Sequence, residues 1–386
     1  MSDTILSVDI GTTSLKAALI TAQGEVVSFC SVSYEDSHDR FIACSWYGAF
    51  LQAFELLVKT CDVPGICIAG ICISGNGPTV VTDCGLTFSW NEDTSAVSDC
   101  IPEIARTSLF IPKILSVKNQ FPEIWKKAKK IFSGPEYLIY VLTGSAVTIL
   151  PEARFLPAYW NDEVCKACGI KSDLLAPFVN TGALCGNLNG QVFEELKNAL
   201  YCAQNGNFIQ LNENCPVFAG GPDFVVALIG TGTLENGKLC DRCGSSEGLN
   251  FCTKQIVKGK ELRTLPSVIS GLWNVSYLIP ESGTMSDEQR LCEVEKGIAV
   301  LKDAAYENQI EFPACMAVTG GQSNDELLLK EKNERLGMKL LLPGEKHFVH
   351  SELLGDACAG WFGLGVYDSL QAAAKKIVRL RVYENL

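Results

Sequence analysis

The sequence predicts a two-lobed α/β fold in which each lobe opens on the same strand hairpin. Three observations carry this: the length, a repeated strand-turn-strand pattern, and an alternation of strands with capped helices in the second half. At 386 residues, with 47% apolar and 20% charged side chains, the chain exceeds what one hydrophobic core ordinarily supports. Two lobes are the expectation, placed at residues 1–236 and 237–386.

The first copy of the repeat begins at Ile5, with a strand reaching Asp9 and a small-residue turn Gly11-Thr12-Thr13. A strand Leu15 to Ile20, a Gln23-Gly24 turn and a strand Glu25 to Val32 follow. The second copy starts at Cys240, where Asp241 is followed by Gly244-Ser245-Ser246 and a strand Gly248 to Cys252. A Lys258-Gly259 turn and a strand Lys260 to Leu265 complete it. Two lobes starting this way read as a duplication with equivalent surfaces facing a central cleft.

Between the hairpins the pattern predicts a helix Tyr47 to Thr60, a buried strand Gly65 to Ser74, a short pair around Thr79 to Phe88 and a largely helical stretch Thr94 to Leu142. A helix Gln191 to Leu200 and a buried strand end at Pro216 to Gly221 come next. Past the second hairpin, Ser286-Asp287-Glu288-Gln289 and Ser323-Asn324-Asp325-Glu326 have capping-box spacing. They predict helices to about Asn308 and Leu336, with a strand Ala314 to Thr319 between them. A helix Ser351 to Leu364 and a basic last helix close the lobe, and this alternation is the α/β signature.

With 44 acidic against 32 basic side chains the formal charge is −12, the wrong sign for phosphate backbones or anionic lipid. Nucleic acid and membrane are poor partners on this ground. The longest nearly apolar run, Gly65 to Ile73, is about half a bilayer span. No basic leader precedes an apolar core at the start, so the expectation is a soluble cytoplasmic protein. Eighteen cysteines scattered from Cys30 to Cys358 suit a reduced compartment and small buried hydrophobes. The CxxC pairs Cys165/Cys168 and Cys240/Cys243 lie far apart in sequence with no histidine near, and no shared metal is expected at them.

Chemistry concentrates at four glycine-bearing junctions. Asp9 with Gly11, Thr12 and Thr13 places a carboxylate, two hydroxyls and closely approachable backbone N–H groups together, which suits a metal-bound phosphate. The alternative is a tight hairpin without a ligand. The matching turn Gly244, Ser245 and Ser246 favours phosphate, since two facing hairpins can clamp a triphosphate. No GxxxxGK[ST] occurs, and Gly11 leads into a strand, which excludes a P-loop and a Rossmann fingerprint. At Gly220-Gly221-Pro222-Asp223 a buried strand ends and an acid opens an apolar segment, where it serves as a helix cap or as a general base toward a hydroxyl. Gly320-Gly321-Gln322-Ser323 would let a flat base or ribose approach the backbone, or is an ordinary turn before a helix.

Four such elements in this order resemble the FGGY family of carbohydrate kinases, in its xylulokinase-like branch. The likeness extends over most of the chain, including Ser74-Gly75-Asn76-Gly77-Pro78-Thr79, Trp90-Asn91, Pro112-Lys113 and Gly355-Asp356-Ala357-Cys358. The resemblance implies an actin-like, hexokinase-type (ribonuclease H-like) duplicated fold with ATP and Mg2+ in the central cleft. It implies a metal-side acid at Asp9 and a first phosphate turn at Gly11, Thr12 and Thr13. It further implies a second turn at Gly244, Ser245 and Ser246, an adenosine site at Gly320, Gly321 and Ser323, sugar contacts from Asn76, Trp90 and Asn91, and a catalytic base at Asp223. The function so implied is ATP-dependent phosphorylation of a small sugar or polyol, with a homodimer as an allowed assembly. The alternatives are a nucleotide-binding homologue with little kinase activity and an actin-like ATPase.

Departures from the pattern are specific. Phe224 follows the acid where the family usually has Asn or Gln, Glu92-Asp93 follow Trp90-Asn91 with no arginine, and Glu247 stands where a glycine is typical. Pro280-Glu281-Ser282-Gly283 runs almost directly into the next helix, where family members usually place a long substrate-covering segment. An open or altered sugar pocket in a shortened second lobe is the expectation.

Overall fold

Uninterrupted apolar runs belong inside sheets covered on both faces, and the runs at Ile5 and Ile66 lie there in a computed structural model of the chain. It describes residues 2–203, 209–244, 246–343, 348 and 350–383. The chain divides into two units, the first Met1–Thr21, Val26–Phe224 and Ala359–Val366, the second Ala22–Glu25, Val225–Cys358 and Tyr367–Leu386.

In the first unit β1 (Ser2–Ile10), β2 (Ser14–Thr21) and β3 (Val26–Ser33) form an antiparallel meander. Helix α1 (Ile42–Thr60) follows, then β4 (Ile66–Gly75), which pairs parallel with β1. Helix α2 (Ile111–Gln120), β5 (Leu184–Asn187), β6 (Ile209–Leu211) and β7 (Pro216–Pro222) come later, and β7 runs into helix α3 (Asp223–Gly230). The sheet order is β5-β7-β4-β1-β2-β3, with β6 also on β4. Trp46, Phe50, Phe54 and Leu57 of α1 share the core with Val8, Ile10, Ile71 and Ile73. Burying each large apolar side chain contributes about 1.5–3 kcal/mol.

The second unit repeats the plan with β8 (Leu239–Cys243), β9 (Glu247–Thr253), β10 (Arg263–Pro266), β11 (Trp273–Ile279), β12 (Cys315–Thr319), β13 (Lys339–Pro343) and β14 (Leu380–Val382). Their order is β10-β11-β9-β8-β12-β13-β14, with β8, β12 and β13 parallel. Helices α4 (Asp287–Glu307) and α5 (Glu326–Leu336) flank β12 in sequence. The repeat implied this duplicated α/β plan, and the resemblance implied its actin-like, ribonuclease H-like form. Among the described residues no helix is long and apolar enough to cross a membrane.

Three local expectations are corrected. The strand expected at 260–265 does not complete the second meander; β11 lies beside β9, and β10 pairs on its far side. β11 registers with all seven residues of β9, from Glu247↔Ile279 to Thr253↔Trp273, and Asn250, Asn274 and Ser276 hydrogen-bond across the pair. The cap of α5 is Asp325, whose Oδ1 accepts from the amides of Leu327 and Leu328, whereas the Ser323 hydroxyl donates to Gly320 O. The capping box at Ser286 does form. The stretch 94–142 is broken into short 3-10 and α segments around a strand Ile131–Phe132. Pro102, Pro112, Pro122 and Pro135 each stand at or just inside the start of a helical segment, where a missing N–H is harmless.

Candidate functional site

In parallel sheets the carboxyl ends of strands are where ligands are ordinarily held. In the first unit three such ends lie in register: Asp9 and Gly221 flank Ser74, and Ile10 and Pro222 flank Gly75. The next residues along each strand are therefore Gly11-Thr12-Thr13, Asn76 and Asp223, brought together from three distant stretches of sequence.

Asp9 is 4% exposed; the Ser74 hydroxyl donates to its Oδ1 at 3.5 Å, and the Lys16 ammonium stands 3.6 Å from Oδ2. Burial and the Asp9 charge both push the Tyr34 phenol upward. Gly11 closes the turn, donating to Ser14 O at 2.9 Å, and a Cβ there would sit 2.8 Å from that oxygen. Thr12 and Thr13 are exposed. The Thr12 hydroxyl accepts from the Trp90 indole N–H at 3.1 Å and the Asn76 amide at 3.3 Å. Asn76 is itself fixed, donating its backbone N–H to Ile10 O at 2.9 Å and accepting from Thr79 Oγ1 at 3.1 Å. With both acceptor positions of Thr12 used, its O–H points its donor capacity elsewhere.

The loop carrying Trp90 and Asn91 is clamped by Lys113 from α2. The Lys113 ammonium donates to the carbonyls of Ser89 at 2.9 Å, Trp90 at 2.8 Å and Glu92 at 3.5 Å, and lies 5.4 Å from the Phe88 ring centroid. Burial pulls Lys113 down to about 8, against the opposing charge of Glu92. Arg40 pairs with Glu92 and stacks 5.7 Å from the centroids of Phe88 and Phe121. Trp90 and Asn91 themselves are exposed. The sequence marks Lys113 only as a lysine after a proline; its place on the same face as Ile114 and Val117 is the signal that it turns inward.

Asp223 is the first residue of α3, half-buried, with Oδ1 accepting from the Phe224 amide at 2.6 Å. The strand end before it needs glycine: Gly221 has φ +146°. Phe224 packs beside Phe155 with ring centroids 6.4 Å apart.

In the second unit the Gly244 amide donates to Ser246 O at 3.2 Å, closing the second turn; Ser245 lies outside the described residues. Gly320, at φ +96°, packs so closely on the strand end of β8 that a Cβ would fall 2.3 Å from Cys243 O. Gly321–Asn324 form a 3-10 turn in which the Gln322 amide donates to Gly244 O at 3.1 Å. Gly244 and the strand end at Cys243 thus stand beside the Gly320–Asn324 turn.

Beneath this turn is a buried cluster that sequence reading does not find. The Lys332 ammonium, 1% exposed, lies 2.5 Å from Asp241 Oδ2, 3.0 Å from Glu247 Oε1 and 3.5 Å from Cys243 Sγ. Asp241, Cys243 and Glu247 are the group of three metal-type ligands among the described residues, and an ammonium sits in their midst. Burial alone would lower Lys332, but Asp241, Cys243 and Glu247 outweigh it and hold the amine well above its usual range. Burial, then Asp241, push Glu247 up to about 7. No disulfide links the cysteines among the described residues, and burial raises the Cys240 and Cys243 thiols.

No protein-family model matches the chain. A xylulose kinase of Bacillus subtilis is 25% identical over 273 residues, which are 63% of this chain and 52% of that protein. A xylulose kinase of Staphylococcus epidermidis is 22% identical over 311 residues, 73% of this chain and 58% of that protein. A solved, ligand-bound xylulose kinase of Lactobacillus acidophilus superposes with a TM-score of 0.75 at 16% identity, covering 99% of this chain and 93% of that one. The chain is similar in sequence to xylulose kinases and shares its fold with a xylulose kinase and a gluconate kinase. A glycerol kinase of Plasmodium falciparum, solved with ADP, shares the same fold at a TM-score of 0.75 and 15% identity, over 97% of this chain and 92% of that one. The chain spans about half the length of the curated xylulose kinases it matches.

Proposed function

We propose that the chain transfers the γ-phosphoryl group of ATP to a hydroxyl of a small sugar or polyol, as its xylulose kinase relatives are named for doing. The observation that carries this reading is the row of strand ends in the first unit, which aligns Asp9, the Thr12 turn, Asn76 and Asp223 while Trp90 reaches Thr12 from the clamped loop. In this reading residues 1–236 serve the sugar side and residues 237–386 the adenosine side, in the cytoplasm.

Asp223 accepts the proton of the attacking hydroxyl, a role open to a half-buried carboxylate at a helix start. Gly11, Thr12 and Thr13 present N–H and O–H donors to phosphate oxygens, as do Gly244, Ser245 and Ser246. Gly320 and Gly321 leave room for the adenosine, with Ser323 bracing their turn. Asn76, Trp90 and Asn91 orient the sugar. The Asp9 carboxylate is an oxygen donor of the kind Mg2+ takes, with the Ser74 hydroxyl at 3.5 Å and the Lys16 ammonium at 3.6 Å beside it. Magnesium would neutralise charge on the phosphates. Positioning and charge neutralisation are most of what phosphoryl transfer requires.

A second reading, nucleotide binding with little transfer, is favoured by Phe224 beside Asp223 and by the short passage from Ile279 to Ser286. A coupled ADP-release screen over pentuloses, hexuloses, glycerol and aldonates, with calorimetry of Mg-ATP in parallel, separates the two. Sugar-dependent ADP release supports the kinase; ATP binding with an inert panel supports the second reading; neither overturns both.

A further inference from the structure

We propose that Lys332 is a positioning residue for the second phosphate turn, gripping both stems of that turn so that it is preformed before nucleotide arrives. The inference rests on the nucleotide reading of the Gly244–Ser246 turn. Asp241 and Cys243 lie on β8 before the turn, and Glu247, directly paired with Cys243 in the ladder, is the first residue after it. One ammonium contacts all three, at 2.5, 3.5 and 3.0 Å. A lysine has three N–H donors, so these contacts leave none for a phosphate oxygen, and at 1% exposure the amine does not reach solvent. Lys332 therefore acts through the turn and does not touch a ligand.

The grip extends to the adenosine side. Lys332 belongs to α5, which begins immediately after the Gly320–Asn324 turn. From the opposite side the Ser282 hydroxyl donates to Glu247 Oε2 at 2.5 Å, and the Gln322 amide reaches both Ser282 Oγ at 3.2 Å and Gly244 O at 3.1 Å. Arg290 of α4 holds Ser282 O through two N–H groups at 3.2 and 3.1 Å. Glu247 is thus the hinge of a network joining β8, β9, α4, α5 and both turns. Its acid is the departure from the glycine seen in the family pattern, and Lys332 is its counter-charge. Two acids and one ammonium leave one negative charge in excess; a proton on Glu247 removes it and gives Asp241, whose Oδ1 has no donor, a hydrogen-bond partner. The charged and titratable groups facing this point are Asp241, Cys243, Glu247, Lys332 and, through Ser282, Arg290.

The test uses the full chain, Mg-ATP calorimetry and hydrogen exchange of the ligand-free protein. Lys332→Met alone leaves two buried acids and can fail to fold, so the deciding variant is the uncharged triple Asp241→Asn, Glu247→Gln, Lys332→Met. Buried ion clusters replaced as a whole commonly keep the fold. The expected result is a folded triple variant whose Mg-ATP affinity falls at least tenfold and whose amides at 244–246 and 320–323 exchange at least tenfold faster. Glu247→Gln, which keeps the Asp241–Lys332 pair, should bind like wild type at pH 6 and lose the wild type's change in affinity between pH 6 and 8. A folded triple variant with affinity within threefold of wild type and unchanged exchange at both turns would overturn the proposal. If wild type itself binds no Mg-ATP at millimolar concentration, the nucleotide reading falls, and exchange at the two turns still decides whether Lys332 braces them.

Discussion

The two hairpins of the duplication handle the same carboxylate in opposite ways. In the first, Asp9 keeps a lysine, Lys16, that is 29% exposed and 3.6 Å away, and the adjoining turn is held from outside by Trp90 and Asn76. In the second, Asp241 is fully buried, shares a second acid, and is neutralised by a lysine 91 residues away in sequence. Water reaches only the Lys16 end of the first pair and screens it there, so the pair adds little and the Thr12 side of the turn rests on neutral hydrogen bonds. The second is dry, so its charges must balance internally. A duplicated backbone thus fixes where the turn stands, while the local charge balance fixes how firmly it is held.

The largest expected effect breaks that contrast directly. Lys332→Met should cost about 3–5 kcal/mol of unfolding free energy, or prevent folding, because it strands two buried acids; Lys16→Met should cost under about 1 kcal/mol. Urea unfolding of both variants measures the difference, and equal losses would contradict it.

The next effect sharpens it through pH. Glu247 ionises near 7 in the folded chain, above its ordinary value of 4.5. Between those values the folded state binds more protons than the unfolded one, so this group's contribution is fully present below about 4.5 and is lost as pH rises through about 7. The loss is on the order of 3 kcal/mol. Glu247→Gln should flatten that part of the stability–pH curve; a slope unchanged by the substitution would place the titration elsewhere. A small effect also belongs to the neutral bonds of the first unit: Thr12→Val removes an acceptor for Trp90 and Asn76 and should cost about 1 kcal/mol, because exposed donors find water instead. A cost above that of Lys332→Met would reverse the comparison.

The legibility of these features follows the range of the interactions that make them. Both hairpins, the strand end before Asp223 and the Ser286 cap are local patterns, and each stands where the sequence indicates. The strand beside β9 is not legible in the sequence because pairing partners are chosen by side chains such as Asn274 and Ser276 that become neighbours of Asn250 only in the sheet. Lys332 escaped for the same reason: its partners are 85–91 residues away. A hint exists in its place on the stripe Leu328, Leu329, Lys332, Leu336, an ammonium on the apolar face of a helix, which is tolerated only when acids meet it. Lys113 gives the same hint among Ile114 and Val117.

Asp223 is the residue on which the proposed phosphoryl transfer turns. Single-turnover transfer of labelled γ-phosphate from ATP to the sugar found by the substrate screen should be compared for wild type and Asp223→Asn, with ATP affinity measured on the same preparations. The prediction is unchanged affinity and a rate lowered on the order of a hundred- to ten-thousand-fold, since the amide keeps the shape of the side chain and removes the carboxylate proposed as the base. Equal transfer by the two proteins would contradict the account at its central residue.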